Sequence, residues 1–204
     1  AVIVLDVVRG GIGRLSWEFL TADPSDGMMA GGIFPALYGT AALTLLMTVA
    51  VMPVGVATAV YLHEYAPRDS RLAEWVRIAV TNLAGVPSIV FGLLALGLFV
   101  YQLNFGQSIL SAGLTLALLI LPIVIVATRE ALRAVPGSIR EAAYALGATR
   151  WQMVSGHVLP YSLSGILTGV IIALSRAIGE SAPLITIGAL TFIAFLPPPP
   201  LSAE

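Results

Sequence analysis

The sequence predicts an all-α fold: a polytopic bundle of membrane-spanning helices with a helical knob in one loop. Three observations predict it. First, 58% of the residues are apolar and only 10% are charged, where soluble domains carry about 25% charge; the mean hydropathy is +0.95. Second, no charge occurs from Gly27 to Leu62, nor from Ile78 to Thr128, and about 20 such residues suffice to cross a bilayer as a helix. Third, all ten basic residues are arginines and they cluster on one side of the expected spans. The net charge of −1 names no partner. The absence of cysteine excludes disulfides and thiolate chemistry. His63 and His157 lie far apart and form no ligand cluster.

The whole of 1–204 reads as one transmembrane domain. The opening "AVIVLDVV" has no basic flank and no cleavage site, so it reads as the tail of a spanning helix and not as a leader. The closing "FLPPPPLSAE" cannot be helical. Both ends are expected to be truncated. The first full span is expected at about Tyr38 to Leu62, with Pro53 as a kink. The uncharged run 78–128 is long enough for two spans. "YQLNFGQS" divides it into Ile78 to Val100 and Ile109 to Ala127. A fourth span covers Leu163 to Leu184, running towards Ile187. Pro87 and Pro122 inside spans are tolerable where neighbouring helices satisfy the freed carbonyls.

Arginine asymmetry sets the orientation. Segments 63–77 and 128–150 hold seven arginines, and the opposite side holds Arg14 alone. Segments 63–77 and 128–162 therefore face the cytoplasm. In "RLAEWVRIA" (71–79), Leu72, Trp75, Val76 and Ala79 share a helical face. It reads as an amphipathic helix for the membrane surface, or as a polar extension of the next span.

Within the loop 128–162, "GSIREAAYALGATRWQMVSGHVLP" is punctuated as two short helices. Ser138/Glu141 and Thr149/Gln152 each have capping-box spacing. Gly147 suits the left-handed residue that closes the first helix, and Pro160 ends or kinks the second. The surface is expected to mix Ala142, Ala143, Ala145 and Ala148 with arginines. Small residues let another protein approach closely, so the knob is a candidate docking element; the alternative is a solvated helical loop.

At this knob the sequence resembles the permeases of ATP-binding-cassette importers. Their loop reads Glu-Ala-Ala, three residues, Gly, nine residues, Ile, one residue, Leu-Pro. Glu141, Ala142, Ala143, Gly147, Leu159 and Pro160 match in register, and His157 stands in the isoleucine position. "GGIFPALYGTAALT", "EYAP", "AGVPSIVFG" and "RAIGESAPL" resemble the phosphate-importer permeases, the PstA type more than the PstC type. The similarity runs from about residue 15 to residue 190 and implies the type I importer permease fold, with the knob as the coupling helix that enters an ATPase subunit. Such permeases have about six spans, more than are read here.

Arg176 and Glu180 then carry the chemistry of interest. A span over 163–187 puts Arg176 near the bilayer centre, where an arginine costs about 2.5–3.5 kcal/mol. Glu180 is one turn on and can pair with it, and Gly179 leaves room between them. One reading is a structural ion pair that neutralises itself. The other is an anion site, since a guanidinium fork matches phosphate oxygens and a nearby carboxylate would weaken an over-tight grip. In the phosphate permeases the matching pair is implicated in translocation. Ser175 and Ser181 offer hydroxyls, although serines in spans often bond their own backbone. Gly165-x-x-x-Gly169 suits close helix packing, expected at a subunit interface.

The resemblance implies a non-catalytic permease in a bacterial or archaeal plasma membrane, forming half of a phosphate pathway. Its implied partners are a PstC-like permease, two PstB-like ATPase subunits and a PstS-like phosphate-binding protein, besides lipid; no nucleic acid is expected. The chain lacks a Gly-x4-Gly-Lys-Ser/Thr loop, so ATP and magnesium would belong to the ATPase subunits and this chain would hold no cofactor or metal. The alternatives are a same-fold permease for molybdate, sulfate or an amino acid, a passive anion channel, or a structural anchor. Glu180 alone offers no nucleophile–base pair for an enzyme.

Overall fold

The computed structural model describes residues 2–25, 30–67 and 69–187. The chain opens with helix α1 (Val2–Gly11), which buries none of its residues, and short helix α2 (Trp17–Thr21), whose first turn is capped by Ser16 Oγ accepting from the Phe19 N–H at 3.1 Å. Two-residue strands β1 (Pro24–Ser25) and β2 (Ala30–Gly31) pair antiparallel and turn the chain back into α3 (Phe34–Val60). A π-helical turn prolongs α3 to Tyr65, giving 32 continuous residues. It stops there because Pro67 excludes Ala66 from the helical region; Ala66 is extended, with ψ 128°.

The stretch 78–100 is not the single straight span that hydropathy suggests. Helix α4 (Arg71–Ala84) ends at Gly85, and α5 (Ser88–Ala95), prolonged by a π-helical stretch to Gln102, leaves at 108° to it. Gly85 ends α4 at φ −92°, its N–H donating to Asn82 O at 3.0 Å, and Pro87 bars Val86 from helical geometry. Together they make a break where a lone proline would leave a kink. The amphipathic reading of 71–79 accordingly falls on a separate helix. Ala73 and Val80 are buried with Ala59 and Leu62 of α3 and Ile125 of the next helix, while Leu72 and Trp75 point outward.

Helix α6 (Ile109–Arg133) is the centre of the bundle, lying between α3 and α9 (Leu159–Ile178). Met47 and Val51 from α3, Leu116, Ile120 and Val124 from α6, and Ile166, Val170 and Ala173 from α9 form its core. Lipid tails are as apolar as these side chains, so close van der Waals fit holds such helices together. Gly165 and Gly169 supply it within the chain. A Cβ on Gly169 would stand 2.5 Å from Ala127 Cβ, and one on Gly165 2.9 Å from Ala131 Cβ. The glycine pair thus packs on α6 of the same chain; its partner is not another subunit.

Helix α7 (Gly137–Ala145), a turn, and α8 (Arg150–Met153) form the knob. A π-helical turn, Val154–Val158, fuses α8 to α9, so Arg150–Ile178 is one helical run, and Pro160 neither ends it nor breaks it but lies inside it, two residues after the π-helical turn. Short helix α10 (Ala182–Ile187) follows a break and packs on α5. Among the described residues, Phe34–Tyr65, Ile109–Arg133 and Arg150–Ile178 are each long and apolar enough to cross a membrane, and α4 with α5 makes a fourth such unit if the bent pair is counted as one. The chain is a multi-pass membrane protein.

Candidate functional site

Two regions carry the candidate residues. The first is the break between α9 and α10. Helix α9 ends at Ile178, with Gly179 as its cap, so Glu180 lies outside the helix and not one turn further along it. The pair nonetheless faces: Arg176 Nε is 4.0 Å from Glu180 Oε1, with 64% of the arginine side chain and 21% of the carboxylate side chain exposed. At that distance the contact is an open ion pair, leaving guanidinium donors free. Gly165 opposite Ala131 and Gly169 opposite Ala127 set the register of α9 on α6. Continued along the helices, this register brings Arg176 level with Ile120, near the middle of the 25-residue α6. The helix therefore breaks at the depth of the bundle's midplane, as the discontinuous helices of transporters do.

The flanking serines differ. Ser175 Oγ donates to the carbonyl of Ile171 at 2.8 Å, so its proton is committed to its own helix. Ser181 is exposed, and its carbonyl accepts from the Ile185 N–H at 3.0 Å. Next to the break, Gly92 of α5 admits Thr186 and Pro183 of α10 to distances that no side chain would allow.

The second region is the knob. Gly147, at φ +79°, terminates α7. The Ala148 N–H donates to Ala143 O at 3.1 Å and the Gly147 N–H to Tyr144 O at 2.9 Å, the bond pair of a Schellman cap. The Thr149/Gln152 capping box forms as its spacing predicts. The Ser138/Glu141 box does not. Pro136 takes the capping position, Ser138 falls inside the helix, and Glu141 is exposed. Ala142 and Ala145 are exposed as expected, but Ala143 is buried with Leu132, Met153, Val154 and Val158, and Ala148 packs against that cluster. Leu159 packs partly against it too, and Pro160 is exposed. The outer surface instead shows Leu146 at 87% and Trp151 at 67% exposure, with Tyr144 beside them.

An ion pair that the sequence reading passed over anchors the knob. Arg140 of α7 donates through Nη2 to Glu64 Oε1 at 2.8 Å and through Nε to the same oxygen at 3.3 Å. Its other bonds go to Val135 O at 2.9 Å and Leu132 O at 3.0 Å. Glu64 is 7% exposed. The hint in the sequence was a carboxylate placed directly after an apolar run, in "YLHEYAP".

Comparison with known proteins agrees with this architecture. Residues 51–200 match the family described as "Binding-protein-dependent transport system inner membrane component". The chain is 41% identical over 158 residues to the phosphate transport system permease protein PstA 1 of Mycobacterium tuberculosis, covering 78% of this chain and 51% of that protein. It is 41% identical over 188 residues to the phosphate transport system permease protein PstA of Yersinia pestis, covering 90% and 62%. It is 32% identical over 185 residues to the probable ABC transporter permease protein YqgI of Bacillus subtilis, covering 91% and 63%. The chain thus spans half to two thirds of the length of these relatives. Among solved structures, the inward-facing MetNI methionine ABC transporter superposes with a TM-score of 0.60 at 25% identity, covering 74% of this chain and 70% of that one. The chain belongs to the family of inner membrane components of binding-protein-dependent transport systems.

Proposed function

We propose that this chain is a PstA-like permease subunit of an ATP-driven phosphate importer, contributing half of the translocation pathway. The observation that carries the proposal is Arg176: a mostly exposed guanidinium at the midplane of the bundle, held only loosely by Glu180 at 4.0 Å. A charge at that depth is costly unless it faces protein or water. Exposed on this chain, it would face a PstC-like permease across a shared pathway. Its fork would donate to phosphate oxygens in pairs. Glu180 would accept a hydrogen bond from a protonated phosphate oxygen and weaken the grip enough for release. Ser181 could add a hydroxyl; Ser175 would first have to leave Ile171. The 41% identity to proteins named as phosphate permeases supports phosphate over other anions.

ATP would be hydrolysed, with magnesium, on two PstB-like subunits. Leu146, Tyr144 and Trp151 are apolar side chains held out beyond the expected cytoplasmic boundary, which suits docking into such a subunit better than it suits a passive channel or an anchor. A PstS-like protein would deliver phosphate from outside. Alternating access would follow from ATPase states that favour one of two packings.

The same fold occurs in a methionine transporter, so fold does not name the solute. Uptake of radiolabelled phosphate into liposomes holding the full complex, challenged with unlabelled phosphate, molybdate, sulfate and methionine, tests the assignment. Competition by phosphate alone is expected. Labelled phosphate that is not taken up, beside ATP-driven uptake of another of these solutes, would replace the substrate.

A further inference from the structure

A cavity of about 820 Å³ opens between the end of the α3 run, the middle of α4, the last turns of α6 and the start of α8. Among the described residues its lining includes His63, Tyr65, Arg77, Arg129, Arg133 and Arg150, and no carboxylate. Arg77 and Arg133 each pair with a neighbour three residues away, Glu74 at 3.5 Å and Glu130 at 2.7 Å. Arg150 lies over the Tyr65 ring, 5.2 Å from its centre. Arg129 makes no ion pair among the described residues.

Three buried polar atoms here have no partner among the described residues: Arg77 Nε, Arg129 Nε and Tyr65 Oη. Their burial sets these three atoms inside the wall and out of a ligand's reach; what the cavity offers a ligand is the remaining charge of the arginines that line it, of which Arg129 has no carboxylate partner among the described residues. Helix capping does not explain it. The carbonyls that end α6 are already served by Arg140, through Leu132 O and Val135 O. An excess of cytoplasmic arginines explains their number, but not the convergence of four on one cavity whose described lining holds no carboxylate.

We infer that this cavity is a binding site for a phosphate group, separate from the pathway at Arg176 and independent of which solute crosses there. Guanidinium forks match the tetrahedral, multiply accepting oxygens of a phosphate mono- or diester. The volume admits a phosphate with its substituent. Leu72 and Trp75 are exposed on the amphipathic α4, whose Arg77 lines the cavity, and such side chains suit insertion at headgroup depth, where basic pockets between helices take anionic lipids. Free inorganic phosphate on the cytoplasmic side presents the same chemistry.

The test uses the assembled full-length complex in nanodiscs. One arm uses equal parts of dioleoylphosphatidylcholine and dioleoylphosphatidylglycerol, with retained phosphatidylglycerol counted by native mass spectrometry. The other uses phosphatidylcholine alone, omits the phosphate-binding protein, carries Arg176→Gln in every sample, and measures equilibrium binding of radiolabelled inorganic phosphate. Each pocket arginine contributes about fivefold in affinity, so Arg129→Gln with Arg133→Gln should weaken binding about twenty-five-fold in one arm. Arg77→Gln alone should weaken it about fivefold and serves if the double variant does not assemble. Arg71→Gln, exposed and outside the cavity, should change neither arm. Loss in the first arm identifies a lipid headgroup as the source; loss in the second identifies free phosphate. Assembled pocket variants that bind as the complex with the unaltered pocket does in both arms would overturn the inference.

Discussion

Replacing Arg140 by glutamine should loosen the knob from the bundle. The substitution removes two contacts to Glu64 Oε1, at 2.8 and 3.3 Å, and the bonds to Val135 O and Leu132 O. It leaves a carboxylate that is 7% exposed without its main cation; His63 Nε2, at 3.7 Å, is a weak substitute. Breaking one side of a buried pair costs about 3–5 kcal/mol. Glu64→Gln is milder, about 1–2 kcal/mol, because Arg140 keeps its two carbonyl acceptors and is 21% exposed. In the double variant no buried charge is stranded, so the loss should fall short of the sum by at least about 1.5 kcal/mol. Reversible unfolding in mixed micelles titrated with sodium dodecyl sulfate gives all four corners of the cycle. Single effects that add to within about 0.5 kcal/mol would refute the claim that this pair anchors the knob.

Other consequences are as specific. Gly147→Val forces a β-branched residue into φ +79° and should cost about 1–2 kcal/mol in the same unfolding assay. Gly169→Ala should destabilise by about 1–3 kcal/mol through its clash with Ala127, and adding Ala127→Gly should restore most of the loss; no rescue would place the packing of Gly169 elsewhere. Leu146→Glu changes a side chain that is 87% exposed, so stability should hold within about 0.5 kcal/mol while the ATPase subunit ceases to co-purify.

Long uncharged runs made α3 and α6 readable, because hydropathy and bilayer thickness determine such helices almost alone. The turn after α7 was readable too: Gly147 and the Thr149/Gln152 spacing act locally. What hydropathy could not see was the break at Gly85 and Pro87, since a helix end inside an apolar run changes no charge. The glycine two residues ahead of the proline was the missed signal. Ser138 had the right spacing for a cap, but Pro136 starts the helix earlier, so spacing alone misplaced the boundary. Partners distant in sequence were the least legible. Glu64 and Arg140 lie 76 residues apart, and nothing local says that they meet. Likewise the Gly165/Gly169 pair announced close packing without naming Ala127 and Ala131 as what it packs on. Arg176 was singled out from a presumed straight span. Its midplane depth comes instead from the register of α9 on α6, and the helix ends just beyond it.

The most direct test of the account is phosphate uptake by the full complex in liposomes, comparing Arg176→Gln with the unaltered chain while ATP hydrolysis is followed in the same vesicles. The account predicts that uptake collapses, with the complex assembled and still hydrolysing ATP. Undiminished phosphate uptake by the variant would contradict it, and would make Arg176 a structural charge held by Glu180.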